Sequence, residues 1–324
     1  MPLSLHRQTA RFLAKHSLLA AIPLLFASCG STPMPSPKER ARPEALERTV
    51  RFLSDTLHGR GFDQPENLQR AYEFIQAGFA QAQIPCDSQV FSVHGRAYRN
   101  LFCKVVGRSD TLLILGAHYD TYLDLPGADD NASGVAGLLE TARLVRRGAP
   151  PPYTTLFVAF VLEEPPYFRT ADMGSHHFAR MVHDSAWPLV GMTSIEMIGY
   201  FSDTATQDYP SAMYSLLYPS KGNFIAAISD LGSSDLADEF QERTNDLGDI
   251  SCQQLSTAPS TPGVDFSDHL NFWKFGYPAF MVTNTSLYRN KAYHSRADTA
   301  GTLDYRKMAF VVDALTAFVQ NKTP

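Results

Sequence analysis

Stretches whose apolar residues recur every three or four positions alternate along this chain with shorter runs that are apolar throughout or at every second position. Residues 44–58 and 66–82 carry the helical spacing, as a single buried face on a 3.6-residue repeat requires. Residues 87–93 and 98–106 alternate apolar and polar positions around His94-Gly95, which predicts an antiparallel hairpin. Three apolar runs follow, TLLILGA, TLFVAFVL and LVGMTSI, predicted as buried strands. Between them lie NASGVAGLLETARLVRR and GSHHFARMVHDSA, both with helical spacing. Residues 212–217 and 278–283 read as two further strands. A last helix runs from Asp304 to about Asn321, with Met308, Val311, Val312, Leu315 and Phe318 on one face. Strands alternating with helices imply crossover connections and a parallel sheet core. No internal repeat and no strong linker divides residues 44–324, so they are expected to form one domain.

The first residues follow a different pattern. Arg7, Arg11 and Lys15 precede LLAAIPLLFA, an apolar stretch too short for a comfortable membrane span, and Phe26-Ala27-Ser28-Cys29 follows. Small residues directly before a cysteine resemble a bacterial lipoprotein processing site, which implies a signal peptide over residues 1–29 and an acylated Cys29. Plain secretory cleavage nearby is the alternative. Residues 30–43 (GSTPMPSPKERARP) then form a flexible tether between membrane and domain. The expected location is the cell envelope, facing the periplasm.

Removing the leader leaves about 280–295 residues, within the range of one α/β domain. The formal charge is −5 and no basic cluster appears in the sequence, which argues against nucleic acid as a partner. Of the remaining cysteines, Cys86 and Cys103 flank the predicted hairpin and are the candidate disulfide pair; two small buried thiols are the equal alternative.

The candidate chemistry lies in a few acids and histidines. His118 and Asp120 lie in GAHYD, Asp129 and Asp130 in PGADDNASG, and Glu163 and Glu164 in VLEEPP; Glu196 follows in IEMIGY and His294 in YHSRADT. Imidazole nitrogen and carboxylate oxygen suit zinc, and paired metals about 3.5–4 Å apart activate water in hydrolysis. His118, Glu163, Glu164 and Glu196 fall at or just beyond the carboxyl ends of predicted strands, the edge where open α/β sheets bind ligands. Asp130, opening a helix after Gly127, is placed to bridge two metals. Its neighbour Asp129 is the weaker candidate, because adjacent side chains rarely converge on one point. Asp120, two residues beyond His118, can accept that histidine's other N–H and fix its tautomer. Of Glu163 and Glu164, one would bind metal and the other take a proton from water; Pro165 keeps the pair out of a helix. Any one of these acids taken singly is an ordinary solvated charge, so the metal case rests on the ordered set. His94 and His176-His177 are expected at the surface, and Asp268 and His269 could border the site.

The ordered set, HxD, PGADDNASG, a Glu-Glu pair, EMIGY, SDH and YH, resembles the di-zinc aminopeptidase family of exported metallopeptidases. That family also holds relatives of glutamate carboxypeptidase II and glutaminyl cyclases. The resemblance spans roughly residues 44–320. It implies an α/β fold, a three-layer α/β/α sandwich with a central mixed, mostly parallel sheet of about eight strands. It implies two zinc ions per chain, one held by His118, Asp130 and Glu196 and the other by Asp130, Glu164 and His294. Glu163 becomes the general base and Asp120 the residue that orients His118. Many aminopeptidases of the family have Asp where Glu196 stands, whereas carboxypeptidase relatives often have Glu. The expected activity is removal of N-terminal residues from peptide substrates. A carboxypeptidase-like member and a glutaminyl cyclase, which uses a single zinc, are the alternatives; His118 and Glu196, which complete a second zinc site, favour hydrolysis. A non-catalytic binding ectodomain is a further class, and it would be expected to have lost ligands or the base.

Overall fold

The computed structural model describes residues 39–323, so the leader, Cys29 and residues 30–38 of the tether lie outside the described residues. In chain order the elements are α1 (Pro43–Arg51), α2 (Pro65–Gln81), β1 (Cys86–Val93), β2 (Arg96–Val105), β3 (Ser109–His118), α3 (Gly134–Arg147), β4 (Tyr153–Phe160) and α4 (Gly174–Asp184). There follow β5 (Leu189–Glu196), α5 (Ala212–Leu217), β6 (Ile225–Ser229), α6 (Ser234–Leu247), β7 (Cys252–Ser256), α7 (His269–Lys274), β8 (Ala279–Thr283) and α8 (Tyr305–Asn321). The strands form one eight-stranded sheet in the order β1-β2-β4-β3-β5-β8-β6-β7. The four central strands β4, β3, β5 and β8 are mutually parallel. The β1–β2 hairpin joins antiparallel on one side, and the parallel β6–β7 pair joins antiparallel through β6 on the other.

Side-chain alternation on the central strands explains the layering. Leu113, Leu115 and Ala117 of β3, with Phe157 and Ala159 of β4, face a core that includes Leu46, Ile75, Leu138, Phe240 and Phe318 from α1, α2, α3, α6 and α8. The intervening Leu112, Ile114, Leu156, Val158 and Phe160 face the other way, onto Phe178 of α4 and Phe272 of α7. Strands covered on both faces must be apolar at every position, which is why these runs stood out in the sequence. The result is the expected three-layer α/β/α sandwich with a mixed, mostly parallel sheet.

The segment 212–217 is a helix rather than the expected strand. A short apolar run does not by itself separate the two, and here no sheet neighbour takes it up: none of its residues is buried, and Met213, Leu216 and Leu217 face solvent. Strands β6 and β7 and helix α6 were not anticipated. Strand β6 is only five residues long, and the outermost strand β7 reads CQQLS, too polar to register as a buried run. Cys86 and Cys103 sit opposite each other across β1 and β2 and form a disulfide, while Cys252 is free and buried. His176 and His177 are half-buried, His177 stacking on Phe91 at 4.1 Å, because α4 packs against the sheet. No helix among the described residues is long and apolar enough to cross a membrane.

Candidate metal centre

Strand β3 ends at His118, β4 is followed at once by the loop carrying Glu163 and Glu164, and β5 ends at Glu196. Parallel neighbours carry these ends to the same edge of the sheet. The segment before α3 brings Asp130 to that edge. Its path depends on Gly127, whose φ is +55° and whose hydrogen a Cβ could not replace without meeting the Asp130 carbonyl oxygen at 2.2 Å. The loop after β8 delivers His294.

Two donor groups result, His118 with Asp130 and Glu196, and Asp130 with Glu164 and His294. His118 Nε2 lies 3.3 Å from Asp130 Oδ1 and 3.3 Å from Glu196 Oε2. His294 Nε2 lies 3.2 Å from Asp130 Oδ2 and 3.1 Å from Glu164 Oε2. Asp130 therefore turns one oxygen to each group. These spacings are close to the edge of a tetrahedron, about 3.3 Å, set by zinc bonds of about 2.0 Å. His294 Nε2 makes no properly angled hydrogen bond despite its carboxylate neighbours, and Glu164 Oε1 has no partner at all. Donors that converge on a point instead of on each other are what a cation site requires. The residues fit a pair of zinc ions.

Ionisation follows the same logic. Burial and the charge of Asp130 push Glu164 up to about 8, and burial raises Glu163 and Glu196. Burial also acts against the charge on Asp130, but the nearby imidazoles of His118 and His294 outweigh it and hold its pKa down. Burial disfavours charge on His294, yet Asp130 and Glu164 overcome this and raise it to about 10. His118 is raised well above the ordinary range by Glu196 and Glu163, against its burial. Protons held this firmly among buried carboxylates occupy the positions that dications take in such sites, and a bound cation inverts the local preference.

A surrounding frame fixes the donors. Asp120 spends its two carboxylate oxygens on the backbone N–H groups of Glu163 and Glu164, at 3.2 and 3.1 Å. His118 Nδ1 lies 3.2 Å from the Asp120 carbonyl oxygen and 3.6 Å from its carboxylate, so the contact expected for this tautomer runs through the main chain. Asp298 does for Asp129 and Asp130 what Asp120 does for the glutamates, accepting both backbone N–H groups at 2.9 and 3.1 Å. Asp129 itself is saturated: it accepts from the Gly199 amide and Ser133 on one oxygen and from Asn284 and Asn290 on the other. That saturation keeps it out of both donor groups. Ser267 donates to Glu196 at 2.8 Å, and the His294 ring stacks on Tyr122 and Tyr293. Beneath the segment that follows β3, fully buried Arg60 donates to the carbonyls of Leu53, His58, Tyr119, Pro126 and Gly127.

The sequence reading singled out neither Asp298 nor Arg60. Asp298 was within sight, in the quoted YHSRADT, but nothing in spacing tells a brace from a solvated acid. Asp268 does border the site: it is fully buried with neither oxygen hydrogen-bonded, and burial raises it to about 7. His269 turns away, with Nε2 2.8 Å from the Val264 carbonyl oxygen.

Residues 100–319 match the profile of Peptidase family M28. The chain belongs to that family. It is 41% identical over 299 residues to the uncharacterized protein YfbL of Escherichia coli K12, covering 89% of this chain and 91% of that one. Leucine aminopeptidase 1 of the fungus Ajellomyces capsulatus is 24% identical over 223 residues, which are 64% of this chain. The match spans about half of that relative's own length, 52%. Among solved structures, glutaminyl cyclase of Porphyromonas gingivalis superposes with a TM-score of 0.67 at 17% identity, covering 88% of this chain and 100% of that one. At that identity the likeness speaks for the fold alone. This M28 peptidase is a zinc-dependent hydrolase with a two-metal centre.

Proposed function

We propose that the protein is an aminopeptidase that removes N-terminal residues from peptides, with Glu163 as general base. The observation that carries the reading is Asp130 dividing its oxygens between His118 and His294. Glu163 belongs to neither donor group, yet its Oε2 stands 3.9 Å from His118 Nε2. In this reading His118, Asp130 and Glu196 hold one zinc and Asp130, Glu164 and His294 the other. When bound, the two zinc ions supply Lewis acidity, acidifying a water and polarising the scissile carbonyl. Glu163, which belongs to neither donor group, takes the proton of the attacking water and passes it to the departing amine. Asp120 and Asp298 hold the two acidic pairs by their main-chain amides, so the carboxylates need not reorganise during the reaction.

The cavity in front of the donors is lined by Glu163, Glu164, Phe168, Phe266 and Tyr293 among others. It shares Phe266 and Ser286 with a second, apolar cavity of about 80 Å³ beside α5 and β6. An apolar N-terminal side chain fits that wall, and leucyl and phenylalanyl substrates are the expected best ones. The cyclase reading draws on the shared fold, but a complete second donor group with His118 and Glu196 favours hydrolysis. A panel of aminoacyl anilides, N-acetylated counterparts and a glutaminyl peptide decides. Release from free-amino substrates alone supports the proposal; cleavage of blocked peptides or cyclisation of the glutaminyl peptide overturns it.

The basic, apolar and Phe26-Ala27-Ser28-Cys29 segments support export with lipid anchoring at Cys29. Cys29→Ser is expected to release the enzyme from membranes or stop its processing. Unchanged fractionation, with an unmodified Cys29 by mass in the native protein, would sink that part.

A further inference from the structure

No basic run marks the sequence, yet the fold gathers five arginines around one groove. Arg42, at the entry to α1, and Arg48 within it meet Arg143, Arg146 and Arg147 from the last turns of α3. The groove encloses about 920 Å³ between α1, α2 and α3. Part of its wall is apolar, with Phe52 stacked on Phe74 at 4.1 Å. Two carboxylates answer the five cations. Glu140 takes Arg42 and Arg143, and Glu39 takes Arg143 and Arg147. Among the described residues Arg48 meets no carboxylate, and Arg146 donates to the Gln83 carbonyl at 3.4 Å. Arg42, Arg48, Arg146 and Arg147 are all exposed.

Two features say what covers this face. The chain enters the described structure here, since Glu39, its first described residue, lies on Arg143 and Arg147. Cys29 is ten residues earlier, at most about 35 Å of extended chain. The groove runs along helix α3 from Ala136 to Arg147, and the arginines of that helix stand at its far end from the chemistry. The helix starts at Gly134, beside the Asp130 segment, and ends at Arg147, a span of about 20 Å at 1.5 Å per residue. A surface resting on the groove leaves the metal centre at the other end of the helix, open to peptides.

We propose that this groove is the face by which the protein lies on an anionic phospholipid bilayer, with its guanidinium groups on headgroup phosphates. Each surface arginine is drawn to an anionic leaflet within about a Debye length. The inference rests on the export reading only for which membrane is met.

The test is flotation of the full chain carrying Cys29→Ser, which has no thiol to acylate. Vesicles of pure phosphatidylcholine are compared with an equal mixture of phosphatidylcholine and phosphatidylglycerol. Phosphatidylglycerol is expected to raise binding about tenfold or more at low salt, and high salt to remove the gain. Adding Arg48→Glu, Arg146→Glu and Arg147→Glu should cancel the gain, with melting temperature and peptide hydrolysis unchanged. Equal binding to both vesicle types overturns the proposal. So does a gain that survives the triple reversal, because the leader's own basic residues then carry it. Full competition by inorganic phosphate would mark a free-anion site, and tighter binding to a DNA duplex than to vesicles a nucleic-acid site; either result refutes the membrane assignment. The vesicle assay needs no acyl chain, so an unmodified Cys29 in the native protein would refute the anchor without touching this outcome.

Discussion

The two ends of helix α3 put charge to opposite uses. Near its N-terminus Asp129, Asp130, His118, Glu163, Glu164 and Glu196 are almost wholly out of water, and Asp130 is 5% exposed. At its C-terminus the side chain of Arg147 is 61% exposed and its ion pair with Glu39 is solvated. A buried charge without partners is costly, so the acids that brace this end have assigned donors: two main-chain amides for Asp120, two for Asp298, and four groups for Asp129. The arginines at the other end need no such support, because water does the same work. Substitutions should therefore act strongly at one end and weakly at the other, whatever the chemistry of the residue changed.

The largest effect is expected at the base. Glu163→Gln keeps the shape but cannot take the water's proton, and turnover should fall about 10²–10⁴-fold with two zincs still bound. Near-normal activity would show the base to be elsewhere. Next comes the bridge. Asp130→Asn removes the one charge facing both donor groups, and both zinc affinities should fall, beyond the roughly 10–100-fold seen for outer partners. Glu164→Ala and Glu196→Ala should each empty mainly one site. Zinc titration of the three variants reads this directly, and loss of a single zinc in Asp130→Asn would break the bridging assignment.

Arg60 sharpens the contrast in stability. Arg60→Met strands four buried carbonyls and is expected to cost on the order of 3 kcal/mol in denaturant melts. Arg48→Ala should stay within about 0.5 kcal/mol. Similar costs for the two would mean that burial does not set the scale here.

A smaller effect should appear with pH in chelator-treated protein. Glu164, raised to about 8, and His294, raised to about 10, both bind protons more tightly when folded than when unfolded. Their contribution is thus lost as pH rises, for Glu164 from about 4.5 to 8 and for His294 from about 6.5 to 10. The melting temperature should fall across this range, and zinc should flatten the curve. A rise with pH in the absence of zinc would reverse the sign of these shifts.

Much of this was legible because the central strands are covered on both faces. A strand with helices above and below must be apolar throughout, so β3, β4, β5 and β8 announced themselves, and the acids at their ends marked the ligand edge. The metal donors were equally visible, since a zinc site restricts residue type and their order along the chain is distinctive. Strand β7 was not legible, because it is the outermost strand and CQQLS is too polar to stand out, and the five-residue β6 beside it made too short a run. Helix α5 was misread because its apolar residues face solvent.

The sequence by itself determined the sheet core, helices α1 to α4 and α8 that cover much of it, and the ordered acids and histidines that make up both donor groups. The sequence favoured Asp130 over Asp129, but only the tertiary structure shows why: Asp129 is saturated by Gly199, Asn284 and Asn290 from distant segments, and Asp298 holds the pair by its main-chain N–H groups. The tertiary structure also decided that Arg60 clamps the segment after β3 and that arginines from α1 and α3 share one groove. Hydrophobic pattern and ligand type are written locally, one residue at a time. Hydrogen-bond partners and electrostatic surfaces are made by residues from 43 to 169 positions apart, as for Asp120 with Glu163 and Asp298 with Asp129, and no local pattern records them.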